Sequence, residues 1–273
     1  MTNHLGYLSL ALYAASFCCY ARILYAPHNW LGRLATLLLA AGILVQYFAL
    51  LERSRSMHAV PYDDLYGSMS LFAWLLAVTY LGLEIFHRQR SVGAFVTLLL
   101  VVWLGSLELL APVEKPPVAP PAHGPLFAFH VTLNTWAYAA FALSFVLSLI
   151  YLAENRILRS RHPGAAFWRF PALDDLDRMA RSSVYVGLAA LSAGVTMGLI
   201  WAHRLMPDSS IWDDPKVAVT LAIFIIYAMY LRLSRRAHWR GARAALLCAS
   251  NFMVVLFSYT FVNLYFTRFH RFL

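Results

Sequence analysis

The chain has 273 residues, of which 61% are hydrophobic and only 13% carry a charge. Soluble domains contain roughly 45 to 50% apolar and about 25% charged residues, so this composition excludes an ordinary soluble protein and indicates an integral membrane protein. The formal net charge of +9 does not indicate a nucleic-acid partner. The basic residues fall in short clusters between apolar runs, which is how a protein with several membrane spans fixes its orientation.

Eight apolar runs are each about 20 residues long, the length that a helix needs to cross roughly 30 Å of hydrocarbon. The sequence therefore predicts an all-α, polytopic membrane helix bundle of about eight transmembrane helices. No Lys or Arg precedes Arg22, so the basic flank of a signal peptide is missing and the first helix is expected to remain in the mature protein. The predicted spans are residues 5–25, 30–51, 66–86, 91–111, 126–152, 182–204, 216–233 and 244–266.

Alternate connections carry unequal numbers of basic residues. Fifteen of the 22 Lys and Arg residues belong to one set of connections, and the positive-inside rule predicts that this set is cytoplasmic. Both termini and the polar loop at 201–216 are then predicted to be extracytoplasmic. Six of the ten histidines fall on the same outer side: His4, His58, His123, His130, His203 and His270.

The connections do not suggest separate domains. We expect one membrane domain over 1–273, in which four N-terminal helices (1–111) precede a four-helix core (126–273). The proline-rich segment 112–125 is predicted to be a stiff outer linker. Cys18 and Cys19 lie in the first apolar run and have no CxxC spacing, so the cysteines indicate neither a dithiol site nor a zinc site.

The longest inner connection has helical periodicity. Leu173, Leu176 and Met179 recur at helical spacing, which predicts a separate short helix at the inner interface. Two pairs of opposite charge stand four residues apart in this segment and are expected to form ion pairs. They are Asp174 with Arg178 and Asp177 with Arg181.

Two helices carry polar stripes that each lead to a histidine. In the fifth helix the stripe is His130, Asn134 and Tyr138, and in the eighth it runs from Tyr259 through Asn263 to His270. Polar side chains that face lipid are costly, so both stripes should face protein or a cavity. The two histidines are predicted at the same outer end of antiparallel helices.

Two interpretations of these stripes stay open. Neutral imidazole is the usual axial ligand of haem iron, and two opposed histidines could supply both axial positions. Alternatively, the Asn and Tyr side chains fasten helices together and the histidines anchor at the interface. Apart from the outer histidines, no acidic or basic residue is expected deep in a helix, which disfavours a transporter. The aromatic walls of a porphyrin site would be Phe127, Phe129, Trp136, Trp201, Trp212, Phe266 and Phe269.

Five segments follow one another in a characteristic order. They read HAVPYDDLYGSMSLFAW at 58–74, FHVTLNTWAYAAFALSFVLSLIYL at 129–152, FPALDDLDRMARSSVYVGLAALSAGVTMGLIWA at 170–202, IWDDPK at 211–216 and FVNLYFTRFHRF at 261–272. In this order they resemble motifs of the cytochrome c assembly family, membrane proteins of the CcsA, ResC, CcmC and HemX type. Together they cover most of 58–272.

The resemblance implies a site and a cofactor. It implies haem b bound near the outer face, with His130 and His270 as iron ligands. Asn134 and Asn263 would support them, and Trp201 and Trp212 would line the site beside the tryptophan-rich (WWD) loop. No catalytic acid, base or nucleophile is required. The implied partners are haem, apocytochrome c or a CcsB-like membrane protein, and the lipid bilayer, and the implied location is the bacterial cytoplasmic (inner) membrane.

The chain also departs from the family pattern. Its loop has Met206, Pro207 and Ser210 where the pattern has Trp, Gly and Trp, and Arg232 stands where full synthases often carry a histidine. Two functions therefore stay open. The first is a component of a haem lyase that presents haem for attachment to apocytochrome c, although the degenerate loop argues against autonomous activity. The alternative is a HemX-like, non-enzymatic accessory or regulatory protein of haem biosynthesis or cytochrome assembly.

Overall fold

The apolar runs fold into helices that pack as an antiparallel bundle. The computed structural model describes residues 4–26, 28–57, 65–110, 124–160, 171–205 and 215–257, and these residues form eight α-helices. A short 3-10 helix, Ala237–Trp239, lies between the last two. The α-helices are α1 His4–Tyr25, α2 Asn29–Met57, α3 Leu65–His87, α4 Gly93–Leu110, α5 Pro125–Arg159, α6 Leu173–Leu205, α7 Pro215–Leu233 and α8 Ala242–Phe257.

The helices are those of a multi-pass membrane protein. Within the described residues, α1, α2, α3, α5 and α6 contain stretches that are long and apolar enough to cross a membrane, and α4, α7 and α8 are shorter apolar helices. The predicted all-α class is confirmed. Residues 112–123 of the predicted proline-rich linker lie outside the described residues, and its last two residues, Gly124 and Pro125, belong to the start of α5.

The predicted separate helix at the inner interface is wrong, because α6 begins at Leu173 and continues without a break to Leu205. Pro171 stands just before its first turn, where a proline suits the start of a helix better than its interior. Leu176 and Met179 are fully buried. Their apolar face extends the contact with the core, which favours a helix that begins at Leu173 over one that begins at the predicted position 182.

One predicted ion pair forms and the other does not. Arg181 pairs with Asp177, as predicted. Arg178 pairs with Asp175 instead of Asp174. Asp175 also accepts a hydrogen bond of 2.5 Å from Nε2 of Gln89 in the α3–α4 turn. Asp175 thus faces the α3–α4 turn and accepts from both Gln89 and Arg178, whereas Asp174 is exposed.

Helices α5 and α6 pack closely against each other at the centre of the contacts between helices. Ser183 of α6 donates a 2.7 Å hydrogen bond to the carbonyl of Ala140 in α5. A side chain at Gly187 would collide with the ring of Phe141, which stacks on Tyr227 of α7 at a centroid distance of 3.9 Å. One hydrophobic cluster joins residues of α1 to α6 and α8, and a second joins residues of α5 to α8. Residues of α5, α6 and α8 occur in both clusters. These helices therefore join the first half of the bundle (α1 to α4) to the second half (α5 to α8).

Candidate functional site

His130 lies near the start of α5 and faces two glycines of α6, Gly194 and Gly198. Gly124 caps α5 and Pro125 occupies its first turn, a position that suits proline because its missing N–H would have no partner there anyway. One and a half turns later, the imidazole of His130 packs against Gly198. A Cβ atom on Gly198 would collide with Nδ1 and Cε1 of that ring. The close approach of α5 and α6 therefore depends on glycine at this position.

The hydrogen bonds around His130 define which ring nitrogen carries a proton. Nδ1 lies 2.8 Å from the carbonyl oxygen of Gly194. A carbonyl oxygen can only accept, so Nδ1 is the donor. The amide nitrogen of Asn134 lies 3.1 Å from the same Nδ1, but it has a better acceptor in the carbonyl of His130 at 2.8 Å. In the neutral ring the lone pair is consequently on Nε2, the arrangement of a metal-binding histidine whose other nitrogen donates to a carbonyl.

Aromatic side chains stand beside this histidine. Phe127 is buried, and its ring centroid lies 6.3 Å from that of His130 and 4.8 Å from that of Trp201. The indole N–H of Trp201 is buried and has no acceptor among the residues that the structure describes. His130, Asn134 and Trp201 are thus brought to the same end of the α5–α6 pair, as the sequence predicts.

Two of the other predicted aromatic walls lie elsewhere. Phe129 is 61% exposed. Nε1 of Trp136 donates a 2.9 Å hydrogen bond to Oγ1 of Thr79, which ties α5 to α3. Trp136 therefore serves contact between helices. The remaining predicted site residues, His270, Asn263 and Trp212, lie outside the described residues, as do Phe266 and Phe269.

Arg232 is separated from His130 by most of the length of the bundle. It is exposed in the last turn of α7, and α7 begins with Pro215 just after the loop that follows α6. The end of α7 is therefore opposite the end at which His130 lies. The presence of arginine at this position, where full synthases often carry a histidine, therefore does not alter the surroundings of His130.

Two acidic residues that the sequence analysis did not single out, Glu84 and Glu154, are buried near the ends of their helices. The Glu84 side chain in α3 is only 2% exposed, and its two oxygens accept hydrogen bonds of 2.5 Å from Tyr20 and Thr36. Arg90 approaches Glu84 to 3.6 Å and donates to Thr36 at 3.2 Å. The signal in the sequence was a single Glu between Leu83 and Ile85, four residues after Tyr80, inside an otherwise apolar run.

The chain is similar to known proteins over most of its length. Residues 62–270 match the family model described as Cytochrome C assembly protein. The chain is 25% identical to Protein HemX of Brevibacillus brevis over 258 residues, which are 92% of each chain. It is 26% identical to Protein HemX of Bacillus subtilis over 254 residues, or 92% of this chain and 91% of that one.

A relative with another name is similar over nearly the same extent. The chain is 24% identical to the cytochrome c biogenesis protein CcsA of Heterosigma akashiwo over 275 residues, which cover 88% of this chain and 85% of the relative. The family model spans well over half of the chain, and both kinds of relative cover most of it. This protein belongs to the cytochrome c assembly protein family.

Proposed function

We propose that this protein handles haem for cytochrome c biogenesis at the end of the bundle where α5 begins. His130 and His270 ligate the iron, Asn134 and Asn263 support these ligands, and Trp201 and Trp212 lie along one edge of the site. The observation that carries the proposal is the donation from Nδ1 of His130 to the carbonyl of Gly194. This bond directs the lone pair of the neutral ring to Nε2, as an iron ligand requires.

The buried indole N–H of Trp201 supports the same site. A buried donor without an acceptor costs about 1 to 3 kcal/mol, so such a group is expected to find a partner. Within the described residues Trp201 has none. A bound molecule could supply the missing acceptor, and a polar edge of haem is a group of the required kind.

The protein contributes position rather than acid or base chemistry. A bound haem b supplies an iron that takes imidazole ligands and vinyl groups that can be joined to the thiols of an apocytochrome. The chain holds and orients the reactants, and such positioning is a large part of many reactions between two bound molecules. Phe127 and Trp201 exclude water from one side of His130. An apocytochrome c or a CcsB-like membrane protein is the proposed partner.

The proposed orientation places both termini and the His130 end outside the bacterial cytoplasmic membrane. It follows from the excess of basic residues in the opposite connections. A reporter enzyme that is active only outside the cytoplasm, fused after Leu273, should be active in cells. The same reporter inserted after Ser160, in the α5–α6 connection, should be inactive, and the reverse pattern would overturn the orientation.

Absorption spectra test haem binding directly. The full-length protein is purified from haem-replete cells as wild type, His130→Ala and His270→Ala, and oxidised and reduced spectra are recorded. His203→Ala is the matched control, because His203 is an exposed histidine at the same end of α6. The wild type and the control should show the same haem spectrum, and the two ligand variants should lose or shift it. A wild type without haem, or unchanged spectra in both ligand variants, would refute the proposal.

The second candidate is a HemX-like accessory or regulatory protein without activity of its own. Two departures from the family pattern favour it: the degenerate loop and the exposed Arg232 at the far end of α7. HemX relatives are also similar over about nine tenths of both lengths. Complementation of a strain that lacks its cytochrome c synthase separates the two functions. Restored covalent haem attachment supports the first, and a change only in the abundance of a haem-biosynthetic enzyme supports the second.

A further inference from the structure

Gly194 and Gly198 meet the functional stripe of α5 at two successive turns. A Cβ atom at Gly194 would lie 3.0 Å from the side-chain nitrogen of Asn134 and 3.1 Å from its backbone nitrogen, both closer than ordinary contact. At Gly198 it would overlap the ring of His130. Other helical glycines differ in what they meet: a Cβ atom at Gly82 or Gly105 meets nothing within 4 Å, and one at Gly187 would collide with the ring of Phe141, which is not a metal-binding side chain.

The two glycines act on His130 in different ways. Gly194 supplies the carbonyl oxygen that accepts from Nδ1 at 2.8 Å. Gly198 has no side chain and so leaves the space that the ring of His130 occupies when it makes that bond. One residue defines the tautomer and the other permits the orientation. A simple packing motif would bring two backbones together without directing a particular ring nitrogen.

We infer that Gly194 and Gly198 are positioning residues, which together hold His130 with Nδ1 protonated and Nε2 as the ligating atom. The inference rests on the proposed haem site for its functional meaning, but the placement of the ring can be tested without haem. The substitution Gly198→Ala forces the imidazole out of its position and weakens the bond to Gly194. Haem binding is then expected to fall about 10- to 100-fold, the range for loss of a group that orients a metal ligand.

A double-mutant cycle tests whether the requirement for glycine comes from the ring of His130. Thermal unfolding of the full chain is measured for wild type, Gly198→Ala, His130→Ala and the double variant. Gly198→Ala alone should lower the melting temperature, and it should have little effect when His130 is already Ala, because the clashing ring is gone. Gly82→Ala is the matched control and should cost nothing. An equal loss in both backgrounds would overturn the inference.

The cycle remains decisive if Gly198→Ala does not fold. The ring is then responsible only if the double variant recovers a folded state, and failure of both variants would mean that Gly198 serves backbone packing alone. Recovery in the double variant is the expected result. It would be seen as a restored unfolding transition in detergent.

Nitrogen NMR of haem-free protein labelled with ¹⁵N-histidine tests the tautomer itself. The signals of His130 are those lost in His130→Ala, and they should report a protonated Nδ1 and an unprotonated Nε2. A protonated Nε2 with an unprotonated Nδ1 would overturn the inference. If the wild type binds no haem, the proposed function fails, yet the cycle and the NMR result still decide the role of the glycines. If haem binds and Gly198→Ala leaves its affinity and spectrum unchanged, the inference fails and the proposed function stands.

Discussion

Buried polar groups are used differently in the two halves of the bundle. In α1 to α3 several of them bond to one another: Glu84 accepts from Tyr20 and Thr36, and Gln46 accepts from Tyr13 at 2.7 Å. Ser16 and Gln46 also donate to backbone carbonyls of a neighbouring helix. In the α5–α6 pair, the side chain of His130 bonds to the backbone of the partner helix. A bond between side chains engages two functional groups, whereas a bond to the backbone engages one and orients it. In the first half, bonds between polar side chains hold the helices together. In the second half, the bond to Gly194 orients the imidazole of His130.

The largest loss of stability is expected when Glu84, the central acceptor of the first half, is removed. Glu84→Ala leaves the buried hydroxyl of Tyr20 without its acceptor and Arg90 without its carboxylate partner, whereas Thr36 keeps the carbonyl of Gly32. We therefore expect a loss of about 3 kcal/mol in the free energy of unfolding. The haem spectrum of the folded fraction should not change, because His130 lies in the other half. Thermal unfolding and absorption of the same samples check both statements. Glu52→Ala, at an exposed position of α2, should be neutral, and a loss of the haem spectrum in Glu84→Ala would show that the halves are not separate.

A smaller effect is expected at the middle of the first half. Tyr13→Phe removes the donor to Gln46 and leaves its carbonyl oxygen buried without that partner, which should cost about 1 to 2 kcal/mol. The ring of Tyr13 stays in place, so its packing is preserved. The matched control is Tyr7→Phe, at a side chain that is 51% exposed. Equal melting temperatures for the two variants would argue against a fastening role for the Tyr13 to Gln46 bond.

A smaller contribution to stability is expected from the polar contact between the two halves. Gln89 of the α3–α4 turn donates to Asp175 of α6, and Nε2 of His87 lies 2.9 Å from Oγ of Ser182. A double-mutant cycle of Gln89→Ala and Asp175→Asn should give a coupling of about 0.5 to 1.5 kcal/mol. Asp174→Asn is the control, because Asp174 is exposed beside the pair. A coupling near zero would mean that the bond between Gln89 and Asp175 does not stabilise the contact between the halves.

The smallest expected effect is a gain. Arg88, in the same turn, adopts a positive φ of 55°, a conformation in which a residue with a Cβ atom is strained by about 1 to 2 kcal/mol. Arg88→Gly relieves this strain at the cost of a more flexible unfolded chain, so we expect a net stabilisation of about 0.5 kcal/mol. Arg88→Ala should give no such gain. The melting temperatures of the two variants separate backbone strain from loss of the charge.

The sequence was sufficient for the helices because each apolar run is long and bounded by polar or proline-rich segments. It was also sufficient to bring His130, Asn134 and Trp201 to one end, since helical spacing and the order of the spans determine that placement. It could not predict that α6 continues back to Leu173, because burial of Leu176 and Met179 depends on a neighbour whose position is not encoded locally.

The polar partners were the least predictable feature. Glu84 finds Tyr20 and Thr36 on two other helices, and no periodicity within α3 reveals them. Arg178 pairs with Asp175, three residues away, and not with Asp174, four residues away, because Asp175 lies on the side of the helix that Gln89 approaches. The contact of Gly194 and Gly198 with His130 was equally hidden, because it depends on the register between two helices.

The unequal helix lengths have a consequence for the surrounding bilayer. At 1.5 Å per residue, the 35 residues of α5 and the 33 of α6 extend about 50 Å, whereas the 19 of α7 extend about 28 Å, close to the thickness of the hydrocarbon layer. His130 is about 8 Å from the start of α5. Most of the excess length of the hairpin must therefore be taken up by tilt or emerge as a stalk on the opposite side. The shorter helices set the hydrophobic match, and they keep the histidine close to one surface of the lipid.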